Sequence, residues 1–295
     1  RTSCGGCACL ARGAPTHLGG VGYDSGGGPC SAGIAYLCLP NRIRLKLIKR
    51  DPFGTPLLLK RLVIFTFGMA VWYRLNKVNK TEVHGVEHLA GLPDRNVLFV
   101  SNHQTYFMDV SAMYLVFNHV YWGMPGKTHA WWRMGFPKTN LFFVAAKETM
   151  KAGLLPRLLA LAGSISIKRT WRAAGKTVDR GVDPRDIENI RKAIQYGWVI
   201  TFPQGTTKPF APGRRGTAHI IKDTQPIVVP VVIDGFRQAF DKKGLYLRKR
   251  NTTLSLTFKK PLELHPDEDA QALLDRIMDA IEQSPAHRPK NQIAE

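Results

Sequence analysis

The chain has 295 residues, of which 44% are hydrophobic, and it carries a formal net charge of +20. A chain of this length can bury a sizeable core, in one large domain or in two. The hydrophobic fraction is ordinary for a globular protein, so the composition excludes a membrane protein with many spans. The basic excess favours a polyanionic partner, either nucleic acid or an anionic membrane surface. Nucleic acid is disfavoured, because the sequence contains no helix-turn-helix, zinc-finger or RNA-binding signature.

The first 38 residues differ in composition from the rest of the chain. They contain all five cysteines, abundant glycine and no lysine. Cys4 and Cys7 have the spacing of zinc ligands, but no second Cys or His pair follows at a suitable separation, so we predict no metal site. The segment also lacks the basic start and apolar core of a signal peptide. No cysteine occurs after Cys38, which is typical of a protein in a reducing compartment.

A basic cluster at residues 41–50 precedes a largely apolar run that extends from Leu57 to Tyr73. The uncharged part of this run begins at Leu62 and is shorter than the roughly 20 residues that cross a bilayer. The pattern is typical of a helix that lies in a membrane interface, with Trp72 and Tyr73 at the headgroup level. A buried amphipathic helix explains the apolar run equally well, and the neighbouring basic cluster favours the membrane.

Beyond residue 80, short apolar runs rich in β-formers alternate with helical patterns. This alternation predicts an α/β fold with a mostly parallel twisted sheet flanked by helices. The predicted strands are Val97–Val100, Leu141–Ala145, Ser164–Lys168, Val199–Phe202 and Ile227–Val232, with Leu254–Phe258 as an edge strand. The predicted helices are Val110–Asn118, Leu154–Ala162, Pro184–Tyr196 and Asp267–Gln283.

A polar stretch from Asn102 to Asp109 directly follows the first of these predicted strands. Histidine titrates near neutral pH, so His103 is suited to take a proton from a hydroxyl and to return one later. An acid beside it, here Asp109, fixes the tautomer of the ring and stabilises its positive charge. No Ser or Cys nucleophile is needed if the attacking hydroxyl belongs to the substrate. A single His near a strand end is nevertheless more often structural, so the later segments matter.

Four motif blocks follow one another along the chain. They are Asn102-His103 with Asp109, Gly-Ser-Ile-Ser-Ile-Lys-Arg at 163–169, Phe-Pro-Gln-Gly-Thr-Thr at 202–207 and Val-Pro-Val-Val-Ile at 229–233. In these blocks and in their order the chain resembles the glycerolipid acyltransferase family, of the 1-acylglycerol-3-phosphate O-acyltransferase type. The resemblance extends from residue 57 to residue 260.

The resemblance implies a role for each block. His103 would be the general base that deprotonates the acceptor hydroxyl, and Asp109 would orient it. Pro230 would lie near the acyl-donor site. The phosphate of the acceptor would be bound by Gly163, Lys168, Arg169, Gln204, Gly205, Thr206 and Thr207.

The sequence departs from the family pattern in two blocks. Five residues separate His103 from Asp109 where the family has four, so a bulge or a reshaped turn must absorb one residue. In the third block, Gln204 replaces Glu and Thr207 stands where Arg or a Ser-like residue is usual. Losing that Arg weakens phosphate recognition, and the cations Lys208, Arg214 and Arg215 of the following loop could substitute for it.

The resemblance implies transfer of a fatty acyl chain from acyl-CoA or acyl-carrier protein to a lysophospholipid hydroxyl, in phospholipid biosynthesis. The leading acceptor is 1-acylglycerol-3-phosphate, which gives phosphatidate. The altered third block leaves another lysolipid open as acceptor, such as a lyso-aminolipid. The widened His-to-Asp spacing leaves open a non-catalytic basic protein that binds lipid surfaces. We expect no metal, no tightly held cofactor and no nucleic-acid partner.

These interpretations divide the chain into four segments and place it at the cytoplasmic face of an anionic membrane. Residues 1–38 are an atypical Gly/Cys-rich extension outside the fold, and residues 39–80 are a basic, amphipathic, membrane-associating segment. Residues 81–284 form the acyltransferase domain, and residues 285–295 form a flexible tail.

Overall fold

The structure is a computed structural model that describes residues 49–124, 136–168, 172–173, 176–177, 183–265 and 267–289. Four sequence predictions fall wholly or partly on residues outside these ranges. They concern the extension at 1–38 with its Cys pair, most of the basic cluster at 41–50, Arg169, and the tail at 285–295 from residue 290 onward.

In the described part of the chain, the main sheet has seven strands in the order β1-β9-β8-β2-β7-β3-β4. Neighbouring strands are parallel except for β8 and β9, and β5 and β6 form a separate antiparallel pair. The strands are β1 Lys80–His84, β2 Val97–Ser101, β3 Leu141–Ala146, β4 Ser164–Ile167, β5 Arg172–Ala173, β6 Lys176–Thr177, β7 Trp198–Thr201, β8 Ile227–Asp234 and β9 Thr253–Phe258.

Helices cover both faces of the sheet, which confirms the predicted fold class. They are α1 Leu57–Tyr73, α2 Met108–Tyr121, α3 Lys147–Lys151, α4 Leu154–Ala160, α5 Pro184–Tyr196, α6 Arg215–Thr224, α7 Phe236–Ala239 and α8 Ala270–Ala280. A π-helical turn at Arg74–Val78 and 3-10 turns at Val86–Leu89 and Pro285–His287 complete the helical segments. Within the described residues, no helix combines the length and the apolar character needed to cross a bilayer.

Successive residues of the central strand β2 point to opposite faces of the sheet, and each face has its own apolar core. Val97 and Phe99 belong to the core beneath α1 and α2. Leu98 and Val100 belong to the core beneath α5, α6 and α8. Because β2 is buried on both faces, its sequence is a continuous apolar run rather than an alternating one.

Helix α5 has the same bounds that the sequence predicted. The side chain of Asp183 caps its first turn by accepting a hydrogen bond from the amide of Arg185, and Pro184 occupies the first helical position. Proline is favoured there because its missing N–H would have no partner within the helix. Gly197 follows the last turn. These local signals explain why the sequence alone located both ends of this helix.

The prediction that Leu254–Phe258 forms an edge strand is wrong. Strand β9 is interior, because β1 pairs in parallel with its outer side and places Lys80 opposite Thr253. β1 has the sequence Lys-Thr-Glu-Val-His and is only partly buried, so it lacks the apolar run that marks a strand. The alternation in β9 reflects the burial of Leu254, Leu256 and Phe258 against one core.

Pro230 lies in the middle of β8, which has a neighbour on each side. Val231 pairs with Phe258, whereas Val228 pairs with Leu262, so three steps along β8 correspond to four steps along the neighbouring segment. This extra residue makes a β-bulge opposite the proline. A proline, which cannot donate to the ladder, is tolerated inside a sheet at such a bulge.

Lys60 of α1 is fully buried, with 0% of its surface exposed. Its ammonium group donates to the carbonyl of Leu141 at 3.0 Å, lies 3.6 Å from the carboxylate of Asp51 and sits 4.0 Å above the centre of the Phe142 ring. Burial lowers the pKa of Lys60 to about 8, although the Asp51 carboxylate acts in the opposite direction. The lysine therefore anchors α1 to the start of β3.

Because of Lys60, the stability of the folded chain should depend on pH in the alkaline range. Because its pKa is lower in the folded than in the unfolded chain, the unfolded chain binds more protons between pH 8 and 10, and stability rises with pH. We expect the free energy of unfolding to increase by about 2 kcal/mol over this window. Above pH 10 the gain is opposed, because burial raises the pKa of Tyr114 well above its usual value.

Denaturant unfolding at pH 7, 8, 9 and 10 measures this dependence. Lys60→Met should remove most of the slope, whereas Lys151→Met, at an exposed helix position, should preserve it. An identical slope in wild type and Lys60→Met would show that Lys60 does not control the pH dependence.

Candidate active site

The carboxyl ends of the neighbouring strands β2, β7 and β8 meet at one edge of the sheet. The chain leaves β2 through Asn102 and His103, and it leaves β7 through the Phe202–Thr207 loop. Ligands of open α/β sheets bind outside the carboxyl ends of the strands. The fold thus brings the first and third motif blocks together at the edge where a ligand is expected.

The structure brings together the two residues predicted as a catalytic pair. Nδ1 of His103 lies 3.0 Å from Oδ2 of Asp109. The Asp109 side chain is 0% exposed, and Oδ2 also accepts hydrogen bonds from the amides of Gln104 at 2.6 Å and Thr105 at 3.0 Å. The hydroxyl of Thr105 donates to Oδ1 at 2.6 Å. These donors stabilise the ionised carboxylate in a position from which water is excluded.

The carboxylate determines which ring nitrogen of His103 carries the proton. An ionised carboxylate only accepts hydrogen bonds, so Nδ1 is the donor and Nε2 is left to accept a proton. The residues between His103 and Asp109 form a loop of four residues, 104–107, and the first position of α2, since α2 begins at Met108 and Asp109 is in its first turn.

Asn102 fixes the backbone that carries the histidine. Its buried amide accepts from the N–H of Ile233 at 2.7 Å and donates to the carbonyl of the same residue at 2.8 Å. The side chain of Gln104 makes further bonds to the end of β8, donating to Asp234 at 3.1 Å and accepting from the amide of Arg237 at 3.0 Å. The end of β2 is therefore locked to the end of β8 by side-chain amides.

A cavity of about 760 Å³ opens beside His103. The His103 ring stacks on Phe202, with ring centres 3.8 Å apart and planes at 21°. From this edge the cavity extends along the sheet between α5 and α6 as far as Leu98, near the start of β2. Its apolar lining includes Leu98, Val110, Phe143, Val144, Met150, Ile167, Ile187, Ile190 and Ile220. Its size and largely apolar lining are those of a small-molecule site, and the part lined by Ile187, Ile190 and Ile220 is hereafter called the apolar arm.

Charged side chains lie at both ends of this cavity. Lys168 follows β4, and Arg214 and Arg215 lie at the start of α6, so all three belong to the edge that holds His103. Arg191 and Asp223 line the far part, where the guanidinium group donates to the carboxylate at 2.7 and 3.1 Å. These three cations form a basic rim at the opening, beside the carboxylate of Asp186, and a partly exposed ion pair between α5 and α6 borders the far end.

Several residues predicted to bind phosphate line this cavity, but others do not. Lys168, Gly205 and Thr206 line it together with His103. Of the cations suggested as substitutes, Arg214 and Arg215 line it as well. Among the described lining residues, Gly163, Gln204, Thr207, Pro230 and Lys208 are absent.

Gly163 makes a close backbone approach rather than a contact with the cavity. It has a φ of +124°, and a Cβ at this position would lie 2.3 Å from the carbonyl oxygen of Leu141 and 2.9 Å from Nζ of Lys60. No other residue fits without displacing the buried lysine. The structure thus gives Gly163 a packing role that explains its residue type.

Gln204 points into the protein interior, with only 2% of its surface exposed. Its amide nitrogen donates to the carbonyl of Ala211 at 2.9 Å and to the side chain of Gln283 at 3.2 Å. An ionised Glu cannot donate to these oxygens, so Gln suits this position. Thr207 is also buried, and its carbonyl accepts a hydrogen bond from the guanidinium group of Arg237. Both residues hold the loop in shape.

Three contributors to the site were not predicted as site residues: Asn102, Phe202 and Tyr106. Asn102 and Phe202 stand in the motif blocks, and Tyr106 lines the cavity. Their positions beside His103 and after β7 were visible in the sequence, but their contacts were not. Among the described residues, no group of three or more His, Cys, Asp or Glu side chains is placed to hold a metal ion.

Comparison with known proteins agrees with this geometry. Residues 80–234 match the family model described as Acyltransferase. The chain belongs to the Acyltransferase family. This confirms the resemblance drawn from the four motif blocks, and it makes the protein an enzyme that transfers acyl groups.

Two further comparisons concern individual proteins. No curated protein matches the chain. Among the solved structures, the chain is similar to the 1-acyl-sn-glycerophosphate (LPA) acyltransferase PlsC from Thermotoga maritima. The two are 20% identical with a TM-score of 0.49, and the similarity covers 82% of this chain and 84% of that chain.

The contacts of Gln204 predict that restoring the family's Glu is harmful. Gln204→Glu should lower the free energy of unfolding by about 1 to 3 kcal/mol, because a buried carboxylate would face the oxygens of Ala211 and Gln283. Thermal unfolding measures the effect. The same change at exposed Gln238 should leave the melting temperature unaltered. Equal melting temperatures for both variants would show that the Gln204 side chain does not stabilise the fold.

Proposed function

We propose that the acyltransferase moves a fatty acyl chain from acyl-CoA or acyl-carrier protein to the free hydroxyl of a lysophospholipid. The leading acceptor is 1-acylglycerol-3-phosphate, and the product is then phosphatidate. The observation that carries this proposal is the His103 ring, backed by the buried Asp109 carboxylate, at the opening of a long apolar cavity.

In the proposed reaction, His103 acts as general base. Nε2 takes the proton of the acceptor hydroxyl while its oxygen attacks the thioester carbonyl carbon, and a C–O bond forms. The tetrahedral intermediate then collapses, the C–S bond breaks, and the leaving thiolate takes the proton from His103. Asp109 stabilises the imidazolium between these steps. General-base assistance of this kind accelerates a reaction by about 10² to 10⁴.

The basic rim is the proposed site for the acceptor phosphate. Lys168, Arg214 and Arg215 lie around the opening, with the hydroxyl of Thr206 and the backbone of Gly205 beside them. Arginine presents a planar set of donors that matches a phosphate group. The cations from the start of α6 thereby supply the charge that Thr207 does not.

The apolar arm of the cavity is the proposed site for the fatty acyl chain. Its walls at Ile187, Ile190 and Ile220 come from α5 and α6, and the partly exposed Arg191–Asp223 ion pair borders its far end. An alkyl chain gains free energy by leaving water along such walls, and it gains none by reaching an ion pair.

Exposed leucines support the proposed association with a membrane. One face of α1 packs on the protein through Val63 and Ile64, while Leu58 on its other face is 69% exposed. Leu154 of α4 is 75% exposed. Residues of α1 and α4 line the same small groove, which shows that the two helices are neighbours. Exposed leucines on these two helices fit a bilayer interface, and the net charge of +20 favours an anionic one, which we place at the cytoplasmic face.

The role of His103 is tested with purified enzyme, acyl-CoA and 1-acylglycerol-3-phosphate. His103→Ala should lower kcat by about 10² to 10⁴ because the base is lost, while binding to anionic liposomes is unchanged. His84→Ala, at an exposed position on β1, is the control and should retain full turnover. Wild-type turnover in His103→Ala would overturn the mechanism.

A lyso-aminolipid is the second candidate acceptor, because the third block lacks the usual Glu and Arg. Arg214→Ala and Arg215→Ala should raise KM for 1-acylglycerol-3-phosphate and leave KM for a phosphate-free lysolipid unchanged. If wild-type enzyme acylates the phosphate-free lysolipid with the higher kcat/KM, that lipid class replaces lysophosphatidate as the acceptor.

The cavity predicts how chain length is limited. Ile190→Trp should shorten the preferred acyl chain, since the larger ring fills part of the arm. A series of acyl-CoA donors of increasing length measures kcat/KM for wild type and variant. An unchanged preference would mean that the acyl chain binds elsewhere.

A further inference from the structure

The loop that joins His103 to Asp109 has a second support, which lies far from it in sequence. Its first two amides, of Gln104 and Thr105, point inward to the Asp109 carboxylate. The next two point outward: the amide of Tyr106 donates to the carbonyl of Lys242 at 3.0 Å, and that of Phe107 donates to the carbonyl of Lys243 at 3.1 Å. The loop is thus held between the carboxylate and the turn at 241–245, hereafter the support turn.

The support turn is itself rigid. The carboxylate of Asp241 accepts hydrogen bonds from the amides of Leu245 at 2.7 Å and Tyr246 at 2.9 Å, and the amide of Gly244 donates to the Asp241 carbonyl at 2.8 Å. Burial acts to raise the pKa of Asp241, and the amides of Tyr246, Leu245, Lys243 and Gly244 together lower it below its usual value. The turn is therefore a preformed surface against which the loop is placed.

Gly244 faces the loop where no space is left for a side chain. It has a φ of +77°, and a Cβ there would lie 2.8 Å from the amide nitrogen of Met108 and 3.0 Å from Oγ1 of Thr105. Oγ1 of Thr105 is the donor to Oδ1 of Asp109. Any side chain at 244 would push the start of α2 and the threonine hydroxyl that holds the carboxylate.

We propose that the support turn positions the His103–Asp109 pair, and that Gly244 is its positioning residue. The outward bonds to the carbonyls of Lys242 and Lys243 fix the middle of the loop, and the inward bonds fix its start. Between them they hold Oδ2 of Asp109 at 3.0 Å from Nδ1 of the ring. The inference rests on the catalytic role proposed for His103.

The test compares two glycines of nearly equal φ in the full chain. Gly244 and Gly91 have φ values of +77° and +78°, but a Cβ at Gly91 would meet no atom within 4 Å. Gly244→Ala should lower kcat roughly 10- to 100-fold, the cost of misplacing a reacting group by about 1 Å, with KM unchanged. Gly91→Ala should leave kcat unchanged.

A readout that does not depend on turnover is the NMR resonance of the Nδ1 proton of His103, assigned by its loss in His103→Ala. Gly244→Ala should shift or broaden this resonance, and Gly91→Ala should not. If Gly244→Ala does not fold, Asp241→Asn provides the second variant, because it weakens the turn without adding volume. It should shift the resonance and lower kcat in the same direction.

The outcomes distinguish the role of the support turn from the role of His103. Wild-type kcat and an unmoved resonance in folded Gly244→Ala, or in Asp241→Asn, overturn the inference while leaving His103 as the base. Equal losses in Gly244→Ala and Gly91→Ala also overturn it, since backbone strain alone would then explain the effect. Full activity of His103→Ala overturns the proposed function itself, whatever the glycine variants do.

Discussion

The buried carboxylate of Asp109 is the group on which the geometry of the site depends. A charge that is shielded from water is stable only when donors surround it, and the loop before α2 supplies them from the amides of Gln104 and Thr105 and the Thr105 hydroxyl. The same carboxylate accepts from Nδ1 of His103 and so sets the tautomer of the ring. The same carboxylate therefore holds both the loop and the His103 ring.

The parallel sheet places this pair where a substrate can reach it. Asn102 and Gln104 connect the end of β2 to the end of β8, and Phe202 at the end of β7 stacks on the histidine ring. Residues of the motif blocks have two kinds of role: some support the fold, and others line the cavity. Gly163 and Gln204 hold the backbone, whereas Gly205 and Thr206 line the cavity.

Charged side chains lie at the two ends of the cavity, and apolar side chains line the part between them. Basic side chains surround its opening beside His103, and branched aliphatic residues of α5 and α6 form its length. This division suits an amphiphile that has an anionic head and a hydrocarbon chain. In addition, leucines of α1 and α4 are exposed on the outside of the protein. Family membership and this distribution of groups together argue against a non-catalytic lipid-surface protein.

The fold class, the main strands, helix α5 and the pairing of His103 with Asp109 could be predicted from the amino-acid sequence alone. Continuous apolar runs mark strands that are buried on both faces, and Asp183 and Pro184 mark a helix start, so these features are written locally. The interior position of β9 could not be predicted in this way, because its outer neighbour β1 is polar and only partly buried. Contacts between distant residues could not be predicted either, such as Asn102 with Ile233, 131 positions apart, and Gln204 with Gln283, 79 positions apart. Sequence patterns record which face of an element is buried, whereas a hydrogen bond between distant residues exists only once the sheet has brought their strands together.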